Sequence, residues 1–225
     1  LNEDFQLHTA AILKAVKPNT KALFFCSPNN PSGNLFKEND IKTLLGGFEG
    51  VVVIDEAYID FTSVNSWSTT LNKYPQLIVT QTLSKAFGLA GLRLGIAIAR
   101  PEIIQLLHNI KPPYNINTLS QQNAIEALKD TKTYQTQIES LIAERKRLDD
   151  ELRSVAWIKQ IFPSDANFLL IRVDDAKKRY TDLLNQHIVV RDRSSQKNCE
   201  NTLRISVGTP KENDLLIAAC KSLQL

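Results

Sequence analysis

Methionine is absent from the 225 residues and the chain starts at Leu1, so the sequence is expected to be part of a longer polypeptide. Cysteine is scarce. Cys26, Cys199 and Cys220 are odd in number and show no C-x-x-C spacing, which argues against a disulfide framework or a zinc site and for a reducing cytoplasm. His8, His108 and His187 are scattered without ligand spacing, so no metal is expected. No apolar run approaches the about 18 residues of a membrane span, and no signal-peptide pattern opens the chain. The protein is therefore expected to be soluble, with no membrane partner. The net charge of +3 is too small to suggest nucleic acid. Its two basic clusters, Arg145-Lys146-Arg147 and Lys177-Lys178-Arg179, look like solvated helix faces. Gly88, Gly91 and Gly95 miss the G-x-G-x-x-G spacing of a dinucleotide site.

What is present is the composition of a globular core: 43% hydrophobic and 23% charged residues, in a length that suits one large or two modest domains. Residues 6–16 repeat apolar side chains near helical period, and Pro18 stops them. Residues 21–26 form a compact apolar run that ends in the rigid loop Ser27-Pro28-Asn29-Asn30-Pro31-Ser32-Gly33. A helical pattern over 38–45 follows, then a β-branched run over 51–54 that stops at Asp55-Glu56, and further runs at 77–79 and 94–99. Strands apolar on both faces and alternating with helices predict an α/β fold with a mostly parallel, helix-covered sheet. Ligands of such sheets bind beyond the strands' carboxyl ends, where Asn30, Asp55 and Lys85 are expected to converge.

Pro101 opens a predicted helix to residue 110, and Lys111-Pro112-Pro113 breaks it. The spacing then predicts one or two long helices over 118–153. A small α+β unit follows, with strands at 168–173, 188–191 and 203–207 and helices at 176–186 and 210–223. The expected division is 1–115, a linking segment 116–153, and a carboxyl-terminal domain 154–225.

The chemistry centres on Thr82-Leu83-Ser84-Lys85-Ala86-Phe87-Gly88-Leu89-Ala90-Gly91-Leu92-Arg93. A lysine that attacks a carbonyl needs a partly desolvated setting and nearby polar or cationic groups. The hydroxyls of Thr82 and Ser84 and the guanidinium of Arg93 suit a phosphate. Together they suggest pyridoxal phosphate held as a Schiff base, the alternative being a surface turn. Asp55 is a helix cap, a metal ligand, or a partner for the cofactor's pyridine nitrogen, and the last gives it most to do. Tyr58 and Asn30 are placed to reach the ring oxygen, although Asn-Pro-Ser-Gly is also ordinary turn chemistry.

Four segments carry a family resemblance: Ser27 to Asn34, Val53-Ile54-Asp55-Glu56-Ala57-Tyr58-Ile59-Asp60, Thr82 to Arg93, and Thr202-Leu203-Arg204-Ile205-Ser206-Val207-Gly208. In order and spacing they resemble the fold type I aminotransferases, most closely the histidinol-phosphate branch. The resemblance implies that Lys85 bonds the cofactor covalently and that Asp55 pairs with the pyridinium. Tyr58 and Asn30 would then bind the ring oxygen, and Ser84, Arg93 and Thr82 the phosphate. It also implies that Arg204 grips the substrate's α-carboxylate and that Arg191, or its neighbour Arg193, meets a substrate phosphate, surface salt bridging being the alternative. The implied reaction is ping-pong transamination of histidinol phosphate with 2-oxoglutarate in histidine biosynthesis, by a homodimer acting on small amino acid and keto acid substrates. A decarboxylase of an O-phosphorylated amino acid and an aromatic amino acid aminotransferase share the motifs, and a noncatalytic fragment is a further reading. The family's glycine-rich phosphate turn and ring-stacking aromatic are not found here. Their absence leads us to expect weak cofactor retention and an open sheet edge in a chain of this length.

Overall fold

Four short apolar runs form the first sheet in the order β1 (Ala22–Cys26), β2 (Val51–Asp55), β3 (Leu77–Thr82) and β4 (Gly95–Ala99). The computed structural model describes residues 1–223. They fall into two units: Leu1–Pro28 with Phe36–Thr136, and Asn29–Leu35 with the described residues from Gln137 onward.

In the first unit β1, β2 and β3 are parallel, with Cys26 beside Asp55 and Asp55 beside Thr80. Strand β4 runs antiparallel to β3, Thr82 facing Gly95. The sheet is thus mostly parallel, as expected, with β4 its one antiparallel strand. A parallel neighbour needs a crossover, usually helical, whereas the segment joining β3 to β4 holds only a 3-10 turn, Ala90–Leu92. Helices α1 (Thr9–Ala15) and α2 (Glu38–Gly47) precede and follow β1. Ile41, Leu44 and Leu45 of α2 pack with Val52, Ile54, Leu77 and Val79 into one core, since alternate strand residues share a face. Cover on both faces holds only for β2. Phe24 of β1 is 76% exposed and Ile96 of β4 also lies open, because the first unit's helical core occupies one side of these edge strands. Beyond β4 come α3 (Pro101–Ile110), with proline at a first-turn position where no N–H is needed, α4 (Thr118–Lys129) and α5 (Thr131–Leu152). No helix among the described residues is long and apolar enough to cross a membrane.

The second unit is an antiparallel sheet in the order β5 (Ile158–Ile161), β6 (Phe168–Val173), β8 (Thr202–Ser206), β7 (Arg191–Asp192), with α6 (Ala176–Asn185) and α7 (Pro210–Ser222). Leu148 and Leu152 from the end of α5 join Trp157, Ile171, Leu183 and Leu203 in its core. Residues 188–191 are apolar enough to predict a strand, yet only Arg191–Asp192 pair. His187 takes a left-handed conformation, φ 62°, and Ile188 N–H returns to Leu183 O at 2.9 Å, so this segment closes the end of α6 before any ladder begins. Strand β5 is not foreseen, because Ile158-Lys159-Gln160-Ile161 is short and half polar. Helix α7 is opened by a capping box in which Thr209 and Glu212 bond each other's backbone N–H.

The basic clusters are not uniformly solvated. Arg179 is only 8% exposed: its Nε and Nη2 donate to Asp174 at 2.9 and 2.7 Å, and its guanidinium lies 5.1 Å from the Trp157 ring. Arg147 forks onto Glu144 at 2.9 and 2.7 Å, and Arg145 Nη1 donates to Ala166 O at 2.7 Å. Helical arginines lay apolar stems on the core while their planar donors find partners, which charge counting does not register.

The Arg179 bonds hold the Asp174 carboxyl down to about 2, from an ordinary 3.8. A depressed carboxyl stabilises the folded state above its unfolded pKa and loses that contribution as pH falls through its folded one. Stability is therefore expected to drop between about pH 4 and about pH 2 through this pair. Denaturant unfolding of Asp174→Asn across that window should show a shallower acid slope than the parent, and identical slopes would exclude the pair as its source.

Candidate active site

In the first unit β2 delivers Asp55 at its last position, where the carboxylate accepts Ala57 N–H at 2.9 Å. The neighbouring Cys26 thiol is pushed up to about 11, by burial first and then by the charge and hydrogen bond of Asp55. Three residues beyond Asp55 the buried Tyr58 ring lies below Lys85, whose Nζ is 5.6 Å from the ring centroid. Lys85 itself is exposed within this unit, not desolvated. Leu83 and Ala86 are the loop residues that turn inward, leaving Lys85 between them facing out.

Thr82 Oγ1 stands 2.9 Å from Ser84 Oγ and accepts Ser84 N–H at 3.1 Å, so the two hydroxyls are paired at the end of β3. Arg93 follows the 3-10 turn in a left-handed conformation, φ 55°, with Nη1 donating to Ala90 O at 3.1 Å and the side chain exposed. Such a backbone costs a non-glycine residue about 1–2 kcal/mol and persists where the surroundings impose it, commonly at ligand sites.

Glu56 is the residue that sequence reasoning passed over. It is 1% exposed and accepts Ser66 Oγ at 2.5 Å, Trp67 N–H at 2.7 Å and Gln81 Nε2 at 2.9 Å. Glu56 thus ties the turn after β2 to β3 and fixes the backbone that carries Asp55 and Tyr58. The signal was strand alternation, which sends Glu56 to the side opposite Asp55.

Asn30 belongs to the second unit. Its Oδ1 accepts from Arg204 Nη1 at 2.9 Å, and the Arg204 guanidinium lies 5.0 Å from the Phe168 ring. Arg191 sits opposite Arg204 across β7 and β8. Arg193 N–H donates to Thr202 O at 2.9 Å and continues the pairing, which puts Arg191, Arg193 and Arg204 on one face. Among the described residues, Arg193 Nε is buried with no hydrogen-bond partner. Like charges directly opposite one another destabilise a sheet, so this face is suited to anions.

The family model "Aminotransferase class I and II" matches residues 1–219. The histidinol-phosphate aminotransferase of Flavobacterium psychrophilum is 51% identical over 223 residues, which is 99% of this chain and 64% of that protein. The chain thus spans about two thirds of the length of such curated relatives. Among solved structures, the histidinol-phosphate aminotransferase of Clostridium acetobutylicum superposes with TM-score 0.93 at 28% identity, covering 100% of this chain and 70% of that one. A decarboxylase from Sulfurospirillum multivorans gives TM-score 0.85 at 25% identity, covering 99% of this chain and 67% of its own.

Proposed function

The chain belongs to the class I and II aminotransferases, and from that premise we propose that the protein is a pyridoxal-phosphate enzyme transferring the amino group of histidinol phosphate to 2-oxoglutarate. The chemistry of the residues fits the cofactor. The paired hydroxyls of Thr82 and Ser84, with the cation of Arg93, suit a phosphate ester. The Asp55 carboxylate suits a protonated ring nitrogen, and the Tyr58 phenol and Asn30 amide suit the ring oxygen. Pyridoxal phosphate, when bound, supplies a sink for the electrons released at the substrate's α-carbon. Lys85 Nζ anchors the cofactor, removes the α-proton from the substrate and returns it on the other side of the transfer. Tyr58, under Lys85, limits where that amine travels.

The observation that carries the substrate is the face shared by Arg191, Arg193 and Arg204. Histidinol phosphate has a phosphate and no carboxylate, whereas 2-oxoglutarate has two carboxylates. One set of guanidinium forks that accepts either anion serves both half-reactions, and the 51% identity to a histidinol-phosphate aminotransferase supports the same substrate. The reading takes a homodimer and a cytoplasmic location from the family resemblance.

The full-length protein, given histidinol phosphate and 2-oxoglutarate, is expected to form glutamate one for one with the keto product. Release of CO₂ from O-phosphothreonine without glutamate formation would instead make it a decarboxylase, the activity named for one of its structural neighbours.

A further inference from the structure

The loop Asn29–Leu35 is held on the second unit at two places. At one, Asn30 receives Arg204. At the other, Asp165 grips the backbone in both directions: its N–H donates to Gly33 O at 2.7 Å, and its Oδ2 accepts Leu35 N–H at 2.9 Å. Between them the loop is internally closed. Asn29 N–H bonds Asn34 O at 2.9 Å, Gly33 N–H bonds Asn29 O at 2.7 Å, and Asn29 Nδ2 bonds Ser32 Oγ at 2.6 Å. Gly33, at φ +86°, lies so close to Ser164 Oγ that a Cβ would collide with it. Ser164 in turn donates to Phe168 O at 2.6 Å, on the strand whose first ring lies under Arg204. Arg145 fixes the following residue through Ala166 O.

A loop closed on itself moves as one piece, so what holds Gly33 and Leu35 also sets where Asn30 presents its oxygen. We propose that Asp165 is a positioning residue for the anion-binding arginine: it fixes the loop, the loop fixes Asn30, and Asn30 fixes the orientation of the Arg204 guanidinium. The proposal rests on Arg204 binding substrate anions, as read above. A bidentate fork is sensitive to orientation, because its two donors must meet two oxygens at once.

The test uses the full-length, cofactor-loaded enzyme and glutarate, a dicarboxylate with no keto group, whose binding is measured by calorimetry without turnover. Asp165→Ala is expected to weaken glutarate binding about tenfold and to raise KM for 2-oxoglutarate similarly while kcat changes far less. Asp165→Asn keeps the backbone bond to Gly33 and an oxygen for Leu35 N–H, and should restore both values. In an Asn30→Ala background, Asp165→Ala should add nothing, since its path is already cut. Additive losses in that background, or unchanged glutarate binding in Asp165→Ala while Arg204→Ala weakens it, would overturn the positioning role alone. Unchanged binding in Arg204→Ala would overturn the substrate reading and this inference with it.

Discussion

Lys85→Ala in the full-length protein is expected to abolish turnover, by about ten-thousandfold or more, together with the visible absorption of covalently held cofactor. A well-placed proton-transfer group contributes up to about 10⁴ in rate, and here the same amine is also the point of attachment. Lys85→Arg should restore neither, because a guanidinium does not give up its proton at the pH where the enzyme works. The protein should still fold, since Lys85 is exposed and the loop's inward contacts come from Leu83 and Ala86. Turnover surviving in Lys85→Ala, with folding verified by circular dichroism, would remove the mechanism.

The arginine face yields the second large effect. Arg204→Ala is expected to weaken both histidinol phosphate and 2-oxoglutarate, each by about ten- to hundredfold, the equivalent of about 1.5–3 kcal/mol for a lost charge-assisted contact. Arg191 stands opposite it without the Asn30 contact. Arg191→Ala should therefore fall more heavily on the phosphorylated donor than on an amino acid of similar size that carries no phosphate. Steady-state KM values for the two donors give the comparison directly. Equal losses for both would deprive Arg191 of its phosphate role.

Much of this was legible because single residues have narrow uses. The runs at 21–26 and 51–54 are short, apolar and followed by polar residues, and they became β1 (Ala22–Cys26) and β2 (Val51–Asp55). Pro101 and Pro210 each open a helix from a first-turn position. The direction of β4 was not legible, since its residues pair equally well either way and only the missing crossover decides. Nor were the two residues of β7, where the left-handed turn at His187 consumed the segment expected to pair. Within the site, residue types pointed to Lys85, Asp55 and Arg204, whereas exposure and partnership depend on packing from distant sequence. Asp165 lies 130 residues from the Leu35 N–H it accepts, and the donors that hold Glu56 come from Ser66, Trp67 and Gln81, further along the chain.

The affiliation of Asn29–Leu35 with the second unit, inside a stretch otherwise belonging to the first, bears on how such a protein can be recombined. No single crossover point between two homologous genes exchanges one whole unit for another. A chimera joined near residue 136 would pair one parent's loop with the other parent's Ser164, Asp165 and Arg204. Such hybrids are expected to regain anion binding when the loop is swapped back as a second cassette, so these positions should be inherited together although they lie far apart on the gene.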